Sequence, residues 1–342
     1  MDEVVGRGHF PHSTTVGDFL RRFSEEEHFT ALQRVEDELN RQTLRRMGCR
    51  QLTLDIDATI IEADSSKREN VAKAYNGAVG FQPLILFALE PGLVLAHDFR
   101  PANVHPGAGA TGLIDHALTV IPAGVKLHFR SDSACYDQKV VNYCEDHGIT
   151  FTIAAPLTER LRKTIDEAPE SAWRPLDKGV EIAQVYYQPT GWSRSYRFIV
   201  TRRAKGQDLL GTVWKHWALV TNIKTGNPDW ILQRHRRHAN VENGIRELKG
   251  GFSLSRPPCL AYRANRAWFQ LGLIANDLFS AIKLVFLPGR WASRRIKSFR
   301  WRMIQLGGLL VRHARKRVLK IARGHPRADD LVKLRRAVQA CA

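Results

Sequence analysis

The chain has 342 residues and an ordinary hydrophobic content of 44%, enough for one large domain with an insertion or for two domains. Its formal net charge of +18 favours a polyanionic partner, and nucleic acid is the first candidate. The 5 cysteines form no C-x-x-C pair, and no run of about 18 apolar residues occurs, which argues against a disulfide framework and against a membrane-spanning protein.

Helices are predicted before the first strand. Ser13 and Asp18 favour a helix start, and residues 25–47 carry apolar side chains near helical spacing. We find no compact DNA-binding module ahead of them. Residues 1–49 are therefore assigned to a helical N-terminal segment.

The first predicted strand carries two aspartates on one side. Residues 51–61 alternate between apolar and polar, which is the periodicity of a strand. Asp55 and Asp57 then point to the same side, near the end of the strand. Two further apolar runs, Pro83 to Leu89 and Leu93 to Phe99, flank a Glu-Pro-Gly turn and predict a hairpin.

Alternating helices and strands follow the hairpin. The predicted elements are helix 112–120, strand 125–130, helix 136–147 and strand 149–154. Asp132 comes directly after the first of these strands. Because α/β sheets place their sites at the carboxyl ends of strands, Asp57 and Asp132 are candidate site residues.

Residues 156–229 have a different character. A short helical stretch is followed by three runs of alternating residues, which predict a small antiparallel β-rich insertion. Tryptophans concentrate in and beside this stretch, and most of them are expected in a core.

One helix is predicted from about Trp230 to Gly250. At about 100° per residue, His235, His238, Glu242 and Lys249 lie within about 60° of one another, beside an apolar stripe that faces a core. The helix would thus carry a line of ionisable groups with one carboxylate in the middle. The two histidines and the glutamate also resemble a zinc triplet, although no other Cys or His has matching spacing.

A long apolar helix is predicted from Leu260 to Val285. Beyond it, residues 290–324 contain twelve Lys and Arg and no Asp or Glu. We assign residues 289–342 to a basic helical C-terminal region that contacts DNA. The alternative is a solvated helix face.

Asp57, Asp132 and Glu242 are three carboxylates from separate elements. Oxygen donors of this kind suit Mg²⁺ or Mn²⁺, and two such ions could clamp an in-line phosphoryl transfer. From spacing alone, ordinary loop and cap carboxylates explain the pattern equally well. Asp55 shares a face with Asp57 and is the alternative first ligand.

The segments L-D-I-D-A-T, R-S-D-S-A and V-E-N-G-I-R-E-L-K-G-G resemble the DDE-type transposases of bacterial insertion sequences. Among these transposases, the segments resemble most the group whose glutamate lies in a Y-x2-R-x3-E-x6-K signature. The resemblance extends from about Ser13 to the basic C-terminal region. It implies an α/β fold with an RNase H-like mixed-sheet core in two parts, residues 50–155 and 230–288, around the insertion at 156–229.

The resemblance also implies roles for individual residues. Asp57, Asp132 and Glu242 match the catalytic acids, which bind two Mg²⁺ or Mn²⁺ ions. Asp57 is favoured over Asp55 because Thr59 follows it, as in the D-x-T of the family.

The signature also implies contacts with DNA. Lys249 matches the signature lysine and is expected to contact a DNA phosphate, with Arg246 and Arg237 as weaker candidates. His235 stands where the family has tyrosine, and His238 where it has arginine. A histidine can still donate to a phosphate, although its charge varies near neutral pH.

These matches imply a transposase, an endonuclease that cuts DNA at insertion-sequence ends and transfers the strands to target DNA. Terminal inverted repeats and target DNA are the implied partners, with a homodimer on DNA, no membrane, and a cytoplasmic, nucleoid-associated location. Trp192 or Trp230 is a candidate for stacking on an unpaired base, as in relatives.

Two alternatives remain at this point. One is a structure-specific RNase H-like nuclease without strand transfer. The other is an inactive DNA-binding remnant. Family members usually carry an N-terminal DNA-binding region, and because this sequence shows no counterpart of it, a truncated copy is expected.

Overall fold

The computed structural model describes residues 11–63, 67–208, 211–305, 308–313, 316–321 and 326–340. The first ten residues of the predicted N-terminal segment lie outside this range. The α-helices are α1 (Ser13–Arg21), α2 (Glu26–Met47), α3 (Ala110–Val120), α4 (Gln138–Asp146), α5 (Glu159–Asp166), α6 (Pro228–Arg236), α7 (Ala239–Gly251), α8 (Tyr262–Ala281), α9 (Ile296–Phe299) and α10 (Ala328–Gln339). The strands are β1 (Gln51–Ala58), β2 (Ile61–Glu62), β3 (Ala72–Lys73), β4 (Val79–Phe81), β5 (Leu84–Ala88), β6 (Leu93–Asp98), β7 (Lys126–Ser131), β8 (Thr150–Ala155), β9 (Arg174–Asp177), β10 (Val180–Tyr187), β11 (Tyr196–Asp208), β12 (Gly211–Thr221), β13 (Gly308–His313) and β14 (Lys316–Ile321).

One large mixed sheet organises the molecule. Its nine strands have the order β6-β5-β1-β7-β8-β12-β11-β10-β9. Strands β1, β7 and β8 are parallel neighbours, and β5 is antiparallel to both β1 and β6. The order and directions of β6-β5-β1-β7-β8 are those of an RNase H-like core, so the predicted fold class is confirmed.

The strands predicted as an antiparallel insertion extend this same sheet. Strand β12 pairs antiparallel with β8, with Ala218 opposite Ala155, and β11, β10 and β9 follow outward. This pairing satisfies the backbone groups along one side of β8, which would otherwise form an open edge. The insertion strands therefore continue the core sheet directly.

Helices cover both faces of the sheet because successive strand residues point to opposite sides. One face packs on α3, α4 and α5 through buried side chains such as Leu54, Leu86 and Phe129. On the other face, Ile85 and Phe87 of β5 pack against α7 and α8, and α6 covers β10, β11 and β12. The aspartates of β1 point to this second face.

Helix α8 ties the N-terminal helices to the sheet. Together with the turn that follows, it spans Tyr262–Phe286 and is long and apolar enough to cross a membrane by length and composition. Its packing is that of a core helix, because fully buried Asp277 accepts hydrogen bonds from the N–H of Val94 (2.9 Å) and the side chain of Asn40 (3.0 Å). Burial, and secondarily the charge of Glu36, raise the pKa of Asp277 well above its usual value.

The single helix predicted from Trp230 to Gly250 is wrong, because two helices, α6 and α7, occupy this stretch. In a continuous helix, the carbonyl of Arg234 would accept the N–H of His238. Here the N–H of His238 donates to His235 at 2.8 Å, and the carbonyl of Arg234 accepts the guanidinium of Arg130 instead. A side chain inserted into the helical hydrogen-bond ladder is a recognised cause of such a break.

The basic C-terminal region, which was expected to be helical throughout, is helical only in part. Helices α9 and α10 and the π-helical turn Arg300–Ile304 follow the expectation. Strands β13 and β14, however, pair as an antiparallel hairpin. Both segments are rich in Leu, Val and Ile, and β-branched residues among them favour strands over helices.

Candidate active site

Parallel pairing of β1 and β7 brings two acids to the same edge of the sheet. The register places Asp55 opposite Arg130. Asp57 and Asp132 each lie two residues further along, at the carboxyl ends of the strands. Asp57 is half-buried, whereas Asp132 is exposed and accepts a hydrogen bond from the N–H of Ala134 at 2.9 Å. That bond caps the short helical turn after β7 and fixes the position of Asp132.

Negative charge converges on Asp57. The pKa of Asp57 is raised to about 6, first by burial, then by the charge of Asp132, with a smaller contribution from Glu242. His238 and the N–H of Ala58 act in the opposite direction. The strand register agrees with this, because Asp57 lies opposite Ile85, on the face of the sheet that packs against α7. Chain topology thus gathers carboxylates that are far apart in sequence.

Glu242 lies in the first turn of α7 with an exposed side chain. The helix is held by its apolar side, where Val241, Ile245 and Leu248 are buried against β5 and α8. Gly244 lies against β5 so closely that a Cβ there would be 3.1 Å from the ring of Phe87. The packing therefore fixes α7 while leaving its carboxylate accessible.

The acids do not form a closed metal cage. Across the described residues, no group of three or more Asp, Glu, His and Cys side chains is arranged to hold a metal ion. The same finding applies to the zinc triplet considered for His235, His238 and Glu242. The three acids share a side of the sheet, while two of them stay open to solvent.

Asp55 is engaged in a buried ion pair. Arg130 donates through Nε to Oδ1 of Asp55 at 2.6 Å and through a terminal nitrogen to Oδ2 at 2.5 Å, with side chains 1% and 0% exposed. The other terminal nitrogen of Arg130 donates to the carbonyl of Arg234. Both oxygens of Asp55 are thus used within the protein.

Arg130 was not identified from the sequence as the partner of Asp55, although its position in the sequence indicates this pairing. It stands two residues before Asp132, just as Asp55 stands two residues before Asp57. Opposite charges at matching positions of two adjacent parallel strands predict an ion pair once the register is known.

The DNA contact predicted at His235 needs correction. Its side chain is buried, with its ring 5.4 Å from Trp217 and 6.1 Å from His238 between centroids. Burial, and then the proximity of His238, lower the pKa of His235 to about 4, so the ring is neutral at neutral pH. His238 is half-buried, with Nδ1 3.5 Å from Oδ1 of Asp55, and it faces the acids.

The three predicted cationic contacts lie in different surroundings. Lys249 is half-buried, and its ammonium donates to the carbonyl of Ile60 at 2.7 Å, next to the loop that follows Asp57. Arg246 is exposed and donates to Asn243 at 2.8 Å. Arg237 is exposed and lines a cavity at the opposite end of β1. Of the three, Lys249 is the one placed beside the acids.

The two tryptophans considered for base stacking also differ. Trp192 is buried, with ring centroids 5.0 Å from Tyr136 and 5.3 Å from Tyr196. Trp230 is 51% exposed, and the guanidinium of Arg234 lies 5.4 Å from its ring centroid. Of these two, Trp230 is the one with an accessible ring.

Comparison with known proteins gives one family. The family model described as "Transposase DDE domain group 1" matches residues 3–342. No curated protein matches the chain. One similar solved structure is the cryo-EM structure of the piggyBac transposase synaptic complex with hairpin DNA, at 9% identity and a TM-score of 0.43. That match covers 67% of this chain and 46% of the piggyBac chain, less than half of its length.

Proposed function

The chain belongs to the Transposase DDE domain group 1 family, and we propose that it cuts DNA at the ends of an insertion sequence and joins the cut ends to target DNA. The observation that carries the proposal is that Asp57 and Asp132 lie at the carboxyl ends of the adjacent parallel strands β1 and β7, on the sheet face that packs against the helix of Glu242. The proposed partners are terminal inverted repeats and target DNA, bound by a homodimer associated with the nucleoid.

The three acids fit divalent cations in their chemistry. Their donors are all oxygen, which suits Mg²⁺ or Mn²⁺, and the raised pKa of Asp57 reflects first its burial and then the negative charge of Asp132, which a cation would offset. We propose that Asp57, Asp132 and Glu242 would together hold two such ions. When bound, the ions would supply Lewis-acid stabilisation of the attacking and leaving oxygens in phosphoryl transfer.

We propose Asp57, and not Asp55, as the first ligand. Both oxygens of Asp55 are occupied by Arg130, and its side chain is fully buried. A cation would have to displace that arginine in order to reach Asp55, which would leave a buried charge unpaired. Asp57 lies two residues closer to the edge, beside Asp132 and the open end of the sheet.

Lys249 is proposed to hold a DNA phosphate next to the acids. A lysine ammonium has three donors, and one of them is used by the carbonyl of Ile60. The bond to Ile60 anchors Lys249 beside the loop after Asp57 and leaves donors for an incoming phosphate. Arg246, exposed on the same helix, and the basic C-terminal region would extend the contact along the DNA backbone.

A cleavage-and-joining assay tests this function. The protein is incubated with Mg²⁺, a plasmid target and labelled duplexes made from the DNA that flanks its gene. We expect cut ends with free 3′-hydroxyls and labelled product joined to the plasmid, and neither with Asp57→Asn. Cleavage without joined product would instead indicate a nuclease. Binding that weakens steeply with salt, without cleavage in Mg²⁺ or Mn²⁺, would indicate an inactive remnant.

A further inference from the structure

One buried ion pair links the strands that lead to Asp57 and Asp132 and contacts the helix directly before the one that carries Glu242. Asp55 lies two residues before the first acid on β1, and Arg130 lies two residues before the second on β7. Arg130 also donates to the carbonyl of Arg234 in the last turn of α6, directly before the helix that carries Glu242. The guanidinium of Arg130 therefore joins two strands and the α6–α7 junction at a single point.

The junction has the hydrogen bonds of a broken helix. The carbonyl of Arg234 accepts the guanidinium of Arg130, while the N–H of His238 donates to the carbonyl of His235. The next amides also make tightened bonds three residues back, from Asn240 to Arg237 at 3.0 Å and from Val241 to His238 at 2.9 Å. Helix α7 then begins at Ala239, with Glu242 in its first turn. The conformation of this junction therefore sets the position of α7 and of the carboxylate on its first turn.

We infer that Arg130 is a positioning residue. By binding the carbonyl of Arg234, it keeps α6 and α7 as two separate helices, so that Glu242 faces Asp57. Arg130 is buried, and it acts through the helix junction without touching DNA. The rigid fork of a guanidinium suits this role because it can bind a carboxylate and a carbonyl at once. The catalytic consequence rests on the proposed function, whereas the role at the junction rests on the hydrogen bonds alone.

The decisive variant is Arg130→Lys. Lysine keeps the positive charge beside Asp55, so the buried carboxylate stays paired, but it lacks the planar fork that also reaches Arg234. The matched control is Arg197→Lys. Arg197 is a buried arginine on β11 of the same sheet, and it donates to Gln184 (2.6 Å) and to the backbone carbonyls of Ile223 and Gly226 in the loop after β12.

Kinetics give the first readout. We expect Arg130→Lys to slow cleavage and to raise the half-saturating Mn²⁺ concentration, each by at least about tenfold, as for residues that orient metal ligands. DNA affinity should be unchanged. Arg197→Lys should keep the half-saturating Mn²⁺ concentration of the parent protein. A purely structural role for Arg130 would make the two variants behave alike, which would overturn the inference.

Amide hydrogen exchange gives a readout that does not need catalysis. In Arg130→Lys, the freed carbonyl of Arg234 can accept the amide of His238, so we expect protection from His238 to Glu242 to change by about tenfold or more. In Arg197→Lys it should not change. Unchanged exchange in Arg130→Lys would overturn the inference. If the parent protein fails to cleave DNA, the proposed function fails, and exchange still decides the role of Arg130 at the junction.

Discussion

Glu242→Gln is expected to abolish DNA cleavage while leaving DNA binding intact. Glutamine keeps the size and helix propensity of glutamate but removes the charge that a divalent cation requires. Because Glu242 is exposed in the first turn of α7, the substitution should not disturb packing. Loss of several kcal/mol of transition-state stabilisation corresponds to roughly a thousandfold slower cleavage, measured in single-turnover assays.

Glu247→Gln is the matched control on the same helix. Glu247 accepts a hydrogen bond from the N–H of Ile296 at 2.5 Å, and a glutamine oxygen can accept the same bond. This variant removes one negative charge from α7, as Glu242→Gln does, but at a position away from Asp57. Cleavage should therefore continue at the parent rate. Undiminished cleavage by Glu242→Gln would show that the proposed site is wrong. Equal losses in both variants would indicate a general effect of charge.

Asp55→Ala is expected to destabilise the fold by roughly 3–5 kcal/mol, the cost of breaking a buried ion pair by removing one partner. Without Asp55, the guanidinium of Arg130 would stay buried and would keep, among the described residues, its hydrogen bond to the carbonyl of Arg234 but no acidic partner. Urea unfolding followed by circular dichroism measures the loss as a shift in midpoint at constant slope.

Asp57→Asn provides the contrast two residues further along the strand. Burial and like charges already disfavour the ionised form of Asp57, so a neutral amide should cost the fold little or should stabilise it. Asp57→Asn should therefore remove cleavage and keep stability. If instead Asp55→Ala folds normally and loses cleavage, Asp55 is the ligand.

Much of the fold could be predicted because its strands and helices show clear local patterns. The alternation in residues 51–61 and the turn after Leu89 predict β1 and the hairpin β5–β6, which the structure contains. The placement of Asp132 after β7 also follows from sequence, since the strand is short and ends at a polar turn. The adjacency of β1 and β7 comes from the structure, because no local pattern in either strand specifies its neighbour.

What the sequence could not show depends on contacts between distant residues. Helical periodicity continues unbroken through Arg237, yet the helix breaks there, where Arg130, more than a hundred positions earlier, donates to the carbonyl of Arg234. The ring of His235 lies against Trp217 of β12, a contact that helical periodicity also does not predict. The rotation per residue of a helix predicts which side chains are neighbours on its surface, but the packing of the helix on the sheet determines which of them are buried.

The most direct measurement of the central claim is Mn²⁺ binding by titration calorimetry, from about pH 8 down to about pH 5, in the parent protein and Asp57→Asn. The pKa of Asp57 is raised to about 6, so its carboxyl group is already ionised above that pH. Below that pH the carboxyl group is protonated and must release the proton before it can bind an ion. We predict affinity that is steady above pH 6, falls by up to about tenfold per pH unit below it, and is lost in Asp57→Asn. Binding that is equally tight in Asp57→Asn would contradict a cation site at the three acids.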